Sequence, residues 1–243
     1  MKPMHRLPCV MRSLLAALAC TLGLLGLQPA AAQVGPGSAQ VSQYQGLLAA
    51  AWNGDVAKIQ KMAAANADLN VRDSHGRTAL HVATFAGQRA AIQALAKAGA
   101  DLNLLEDDRY DGVTIAAVAG DEDTLRTLLA LGASARQVTS RYDGTALIAA
   151  SHLGHAGVVS QLIAAGAPLD HVNNLHWTAV IEAVVLGDGG ARHQATLKAL
   201  IEAGANLRLA DRQGQTPLQL ARARGYAEMV RMLEATGRPG AAD

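Results

Sequence analysis

The sequence predicts an all-α solenoid, a stack of short helix-turn-helix units, on three observations. A threonine followed by small and aliphatic residues returns five times after residue 70. The copies are Thr78-Ala79-Leu80-His81-Val82-Ala83, Thr114-Ile115-Ala116-Ala117, Thr145-Ala146-Leu147-Ile148-Ala149-Ala150, Thr178-Ala179-Val180-Ile181-Glu182-Ala183 and Thr216-Pro217-Leu218-Gln219-Leu220-Ala221. The second is compressed by one residue, and successive threonines lie 36, 31, 33 and 38 residues apart. A period of that size marks supersecondary units stacked on one another. Glycine punctuates the copies, in Ala86-Gly87-Gln88, Ala119-Gly120-Asp121, Leu153-Gly154-His155 and Arg224-Gly225-Tyr226. Finally, half of the chain is hydrophobic but only 3% is aromatic. The core is therefore built from Ala, Leu, Val and Ile, whose small side chains let helices approach closely.

The first element is expected to be removed rather than folded. A basic start (Lys2, Arg6, Arg12), an apolar run from Leu14 to Leu27 and the small-residue site Ala30-Ala31-Ala32 make residues 1–32 a secretory signal peptide. The run is too short to span a bilayer as a helix. Met11 offers an alternative start with the same cleavage point, and Ala17-Leu18-Ala19-Cys20 loosely resembles a lipobox, although the apolar run continues well past Cys20. Cys9 and Cys20 both lie in the signal, so the processed chain has no thiol and rests on packing alone. It keeps 18 Lys and Arg against 20 Asp and Glu, a net charge of −2. That balance gives no electrostatic case for nucleic acid. Sixteen Arg against five Lys, with abundant Ala, point to a GC-rich bacterial source, in which export means the periplasm. Nothing after residue 32 is apolar for long enough to span a bilayer, so a soluble, monomeric, membrane-free mature protein is expected.

Residues 33–43 read as a flexible linker. The first helical pair is predicted from about Tyr44 to Ala64, with Trp52 and Ile59 on apolar faces and the turn Asn53-Gly54-Asp55 between the helices. Later second helices are predicted at Ala90 to Lys97, Glu122 to Ala130, Ala156 to Ala164, Ala195 to Glu202 and Ala227 to Glu234. Four second helices end in Gly-Ala pairs, at Gly99, Gly132, Gly166 and Gly204, and Asn66-Ala67 stands in the same place in the first. Glycine, with asparagine as its usual substitute, suits the left-handed residue that closes a helix. Each repeating threonine is expected to cap its helix, a contact worth about 1 kcal/mol, and Pro217 falls at the first helical position, where proline is best tolerated. Residues 237–243 read as a disordered tail.

Residues 73–102, Asp-Ser-His-Gly-Arg-Thr-Ala-Leu-His-Val-Ala through Ala-Gly-Ala-Asp-Leu, resemble an ankyrin repeat closely, as does Asp211-Arg212-Gln213-Gly214-Gln215-Thr216-Pro217-Leu218. The resemblance covers residues 44–236 as six units, the first and last acting as caps. It implies an ankyrin-repeat solenoid, each unit a helix-turn-helix with a β-turn finger, whose fingertips and first helices line a concave face that grips another protein. Two departures stand out. Only His81 matches the family's Thr-x-Leu-His histidine, with Ala117, Ile148, Ile181 and Gln219 read in its place elsewhere. The fifth unit carries an insertion near Gly187-Asp188-Gly189-Gly190-Ala191-Arg192-His193.

Catalytic chemistry finds little footing. Of the seven histidines after the signal, His152 and His155 are the nearest pair with metal-ligand potential, yet a turn glycine separates them, so their rings need not converge. Each histidine is better read as a locally bonded or exposed side chain, with His81 bonding at its repeat turn. No Gly-x-Ser-x-Gly elbow or cysteine nucleophile is present, and Gly187 to Gly190 lacks the strand, lysine and hydroxyl of a phosphate loop. Acidic groups such as Asp107-Asp108 and Asp121 with Asp123 sit at turns and helix starts, where the helix dipole favours them. No enzyme, metal or cofactor is expected.

The surface is then the place for function. The fingertips the resemblance implies are Arg72, Ser74, His75 and Arg77; Glu106, Asp108, Arg109 and Tyr110; Arg141 and Tyr142; Asn174, Leu175, His176 and Trp177; and Arg212 and Gln213. Tyr, Trp and Arg are the side chains enriched at interface hot spots. The candidate partner-binding residues are accordingly Arg72, His75, Arg77, Arg109, Tyr110, Arg141, Tyr142, His176, Trp177 and Arg212. A competing reading has the two tyrosines packing finger against finger and Trp177 plugging the core. Exported bacterial ankyrin proteins that this chain resembles accompany a catalase or another oxidative-stress enzyme, or act as immunity proteins against secreted toxins, and ankyrin effectors pass onward into a host. A small-ligand or metal-binding accessory, resting on the histidines and the Gly187 to His193 loop, is the alternative from another class.

Overall fold

The computed structural model describes residues 35–235; the expected signal peptide, both cysteines and the expected tail lie outside the described residues. After α1 (Ser38–Gln43), six helix-turn-helix pairs follow in order. They are α2 (Gly46–Asn53) with α3 (Val56–Ala64), α4 (Ala79–Phe85) with α5 (Arg89–Ala98), α6 (Gly112–Ala119) with α7 (Glu122–Ala130), α8 (Ala146–Leu153) with α9 (Ala156–Ala164), α10 (Ala179–Val185) with α11 (Ala191–Glu202), and α12 (Pro217–Ala223) with α13 (Ala227–Ala235). The first helices pack on one another in sequence, α2 to α4 to α6 and on to α12, and the second helices form a parallel row. Each unit leans on its neighbours and on little else, the arrangement of a solenoid.

The core runs between the two rows. Ile59, Leu80, Ile92, Leu95, Leu125, Leu128, Leu147, Leu162, Leu197 and Leu200 are fully buried, with Ala51, Ala83, Ala91, Ala116, Ala150 and Ala183 closing the helix contacts. Burying each such leucine or isoleucine is worth roughly 1.5 to 3 kcal/mol.

Helix starts correct the spacing read from threonine alone. Thr145, Thr178 and Thr216 accept the backbone N–H three residues on, at 3.3, 3.3 and 3.5 Å. In the second full unit the cap is Asp111, whose carboxylate accepts from the Thr114 N–H at 2.7 Å. Thr114 lies inside the helix and donates its hydroxyl to Thr139 at 3.1 Å, so it is not the cap expected of it. Aspartate caps as well as threonine does. Measured between true caps, the steps are 33, 34, 33 and 38 residues, and the compressed copy disappears. It also makes Thr114, not Ala117, the counterpart of His81.

Gly54, Gly120 and Gly154 close their helices at φ 69°, 67° and 69°, and Asn66 takes the same left-handed backbone at 56°. Two segments differ from expectation. Helix α1 lies inside the stretch read as linker. Gln40 Oε1 caps the Gly37 N–H at 3.0 Å, the Gln40 amide reaches His75 at 3.0 Å, and Tyr44 donates to Asp73 at 2.8 Å. The insertion, expected as a loop through His193, is divided. Gly187 to Gly190 make a tight turn, and α11 begins at Ala191, four residues before the predicted Ala195. The turn is held by Asp188 Oδ1 accepting from Gly190 N–H at 2.8 Å and by the Tyr226 hydroxyl donating to the Gly187 carbonyl at 2.9 Å.

The fingertip and inner-helix face

Five fingers are built alike from local chemistry. In four, at residues 73–77, 106–110, 173–177 and 211–215, the first residue donates its N–H to the carbonyl of the fifth at 3.0 Å. That first residue is Asp73, Glu106, Asn173 or Asp211, and its side-chain oxygen accepts N–H groups within the turn. Such side chains mimic a backbone turn and fix the tip. The third finger, 140–144, closes instead through Thr139 N–H to Gly144 O at 2.7 Å. The fourth residue is left-handed in every finger: Gly76 (68°), Arg109 (66°), Asp143 (51°), His176 (63°) and Gly214 (72°). Neighbouring tips are joined by backbone bonds, Asp107 N–H to His75 O, Ser140 N–H to Arg109 O and Asn174 N–H to Tyr142 O, at 3.1, 2.9 and 2.9 Å.

Aligned in this way, the fingertip residues fall into two rows. His75, Asp108, Tyr142, Leu175 and Gln213 share the third, outermost position, whereas Arg77, Tyr110, Gly144, Trp177 and Gln215 share the fifth, at the root. The root row is the more buried. Arg77 is 3% exposed and paired with Asp73 at 2.8 Å, which removes it from the candidate binding surface. Trp177 is half-buried against the core, and burial raises the pKa of the half-buried Tyr110.

The other arginines tie fingers together. Arg72 donates to Gly76 O at 2.7 Å and to Leu105 O at 2.8 Å. Arg109 pairs with Asp143 and Arg141 with Asp108, each at 2.7 Å and each exposed, and Arg212 donates to Asn174 O. Exposed pairs of this kind are worth about 0 to 1 kcal/mol. His75 is engaged by Gln40, so the chain's own α1 occupies the first finger. At the tips of fingers 3 and 4, Tyr142 (37% exposed) and Leu175 (38%) stand on backbones bonded to one another, and His176 is exposed beside them. Leu175 belongs to the fingertips of the sequence reading but not to its candidate binding residues.

His81 does what its position suggests. Its Nδ1 accepts the Thr78 N–H at 3.1 Å, so Nε2 carries the hydrogen and faces the Tyr110 carbonyl at 3.1 Å, locking one finger to the next. Burial lowers its pKa to about 4 and keeps the ring neutral.

Between α4 and α6, Phe85, Ile115, Val118 and Ala119 line a surface cavity of about 400 Å³. The corresponding place between α8 and α10 is polar. Glu182, 4% exposed, accepts from Asn173 Nδ2 at 3.1 Å through Oε1, while Oε2 lies 3.5 Å from His152 Nδ1 without a hydrogen bond. Burial raises Glu182 to about 7 against the pull of Asn173, and burial together with nearby His193 lowers His152. His193 lies 2.9 Å from the His152 carbonyl through Nε2 and 3.1 Å from Asp188 Oδ1 through Nδ1, which joins the insertion to this cluster. His155 turns instead to the Val118 carbonyl at 3.3 Å, so His152 and His155 do not converge. Among the described residues no group of three or more His, Cys, Asp or Glu is gathered to hold a metal. Nor is any described helix long and apolar enough to cross a membrane.

Family models for ankyrin repeats match residues 47–141, 142–174 and 190–234. This chain belongs to the ankyrin-repeat family. It is 37% identical over 191 residues to the ankyrin repeat protein YahD of Escherichia coli K12, covering 78% of this chain and 94% of that protein. A crystal structure of an ankyrin repeat domain from Acinetobacter baumannii AYE is 43% identical, covers 79% of this chain and 97% of its own, and superposes with a TM-score of 0.74. The ankyrin repeat protein EF0377 is 30% identical with a TM-score of 0.70, over 79% of this chain and 98% of its own. An ankyrin array is a scaffold for protein–protein interaction, its stacked units offering one extended surface.

Proposed function

We propose that this chain is an exported, non-catalytic scaffold of the bacterial periplasm that binds a protein partner through its fingertips and inner-helix face. The observation that carries the reading is the group at the tips of fingers 3 and 4. Tyr142 and Leu175 are large, exposed and held on backbones bonded at 2.9 Å. Rigid presentation lowers the ordering cost of binding, and a tyrosine flanked by apolar surface is a hot-spot composition. His176 is exposed beside Tyr142 and Leu175, at a left-handed position of the kind Arg109 and Asp143 occupy in fingers 2 and 3. Export rests on the basic start, apolar run and small-residue site of residues 1–32.

The immobilised processed chain should retain one protein from a periplasmic extract. The triple variant Tyr142→Ala, Leu175→Ala, His176→Ala should lose it, while Lys97→Ala on α5 should keep it. Undiminished capture by the triple variant overturns the face. Recovery of the full-length chain from the cytoplasm rather than the osmotic-shock fluid overturns the export reading. An oxidative-stress enzyme and a secreted toxin are the partner classes the family resemblance implies, and mass spectrometry of the retained protein decides between them.

A further inference from the structure

We propose that the surface between α8 and α10 is a subsite for a basic side chain, lysine or arginine, of the protein partner. The inference rests on the protein-binding reading above and names the chemistry of one contact within it. Position is the first argument. Counted from the caps, Glu182 is the fourth residue after Thr178, as Ile115 is the fourth after Asp111; His152 is the seventh after Thr145, as Phe85 is the seventh after Thr78. Phe85 and Ile115 line the surface cavity between α4 and α6. His152 and Glu182 therefore occupy the matching places two units further along.

The fourth position elsewhere is Val82, Ile115, Ala149 and Leu220, all apolar. The scaffold uses Glu182 through Oε1 alone, which accepts from the buried Asn173 of finger 4, and leaves Oε2 without a role. Glu182 Oε2 is buried with no hydrogen-bond partner among the described residues, and an unsatisfied buried polar atom is destabilising, more so when charged. The groups that face it leave it unneutralised. Asn173 from finger 4 takes only Oε1, His152 from α8 is the one basic group within 4.0 Å among the described residues, and His193 from α11 is itself beside Asp188.

The walls define what fits. Leu153 at the end of α8 and Val185 at the end of α10 are half-buried, and Leu186 is 38% exposed. They correspond to Ala86, Val118 and Ala119 of the cavity between α4 and α6. Apolar side chains beside a carboxylate oxygen without a hydrogen bond match a side chain with an aliphatic stem and a cationic end, which lays its methylenes on apolar surface and delivers its charge beyond. The half-exposed His152 ring is the group that gives way as the cation reaches Oε2, and a charge-assisted hydrogen bond then satisfies the orphaned oxygen.

The test uses n-butylammonium and n-propylguanidinium chlorides as probes of the processed chain above pH 7, with tetramethylammonium chloride at equal ionic strength as control. Carbon-13 NMR of the Glu182 carboxyl and nitrogen-15 NMR of the His152 ring report occupancy. At least one probe should give saturable shifts at both residues, weakened at least about tenfold in Glu182→Gln, the loss expected when a charge-assisted bond is removed. The probe that binds names lysine or arginine. Absence of a saturable shift with either probe, or equal shifts in Glu182→Gln, overturns the subsite. Because no partner is present, this result stands apart from capture by Tyr142, Leu175 and His176, whose failure would instead overturn the protein-binding face.

Discussion

Replacing Glu182 by glutamine should change how stability depends on pH, in a direction fixed by burial. The carboxyl is raised from 4.5 to about 7 because folding takes it out of water and returns a single hydrogen bond, from Asn173. Between those values the folded chain holds a proton that the unfolded chain releases. Stability therefore falls as pH rises from about 4.5 to about 7 and levels off above. At 1.36 kcal/mol per unit, the shift corresponds to roughly 3 kcal/mol as an upper bound. Glutamine keeps the shape and the acceptor for Asn173 but does not titrate. Urea unfolding followed by circular dichroism, repeated across this window on both proteins, gives the difference in unfolding free energy. The difference should move in favour of Glu182→Gln with rising pH, while contributions shared by both proteins, such as those of His81, cancel. A difference that is constant to within about 0.5 kcal/mol, the size of a neutral surface change, would refute the claim that burial makes this carboxyl hold its proton.

The opposite sign holds for His81, lowered from 6.5 to about 4 by burial: its stabilisation is complete above pH 6.5 and is lost as pH falls toward 4. His81→Gln should therefore flatten the acid limb of the urea-unfolding profile by up to roughly 3 kcal/mol. Leu147→Ala, at a residue with no exposed surface, should cost about 2 to 5 kcal/mol in the same assay, and a loss below 0.5 would place it outside the core. His176→Gly relieves a left-handed backbone at φ 63° and should raise stability by about 1 kcal/mol while weakening partner capture. A variant that is neither more stable nor weaker in capture would show that His176 is neither strained nor used.

What could be seen in the sequence was what is local to it. Leu147, Leu80 and the turn glycines follow from spacing within one unit, because a helix pair and its cap are settled by contacts a few residues apart. Partners chosen across units were hidden. Arg109 meets Asp143 and Arg141 meets Asp108 across 34 and 33 positions, so nothing near either arginine reveals that it is already engaged. Helix α1 looked like linker because its order depends on His75 and Asp73, some thirty residues away. Arg77 read as surface because it is charged, yet its pairing with Asp73 lets the finger root bury it.

A repeat protein also carries its own internal standard, and the most telling residues are those that break it. Keying the register on threonine hid Asp111, and with it the correspondence that sets Glu182 beside Val82, Ile115, Ala149 and Leu220. Once caps replace threonines as the reference, two departures fall in one region. Glu182 is a carboxylate at an aliphatic position. The insertion ends in His193, whose ring meets the carbonyl of His152, the neighbour of Glu182. Neither is a feature of the other units, and both lie at the fourth finger and the α8–α10 pair, where the proposed contacts are placed.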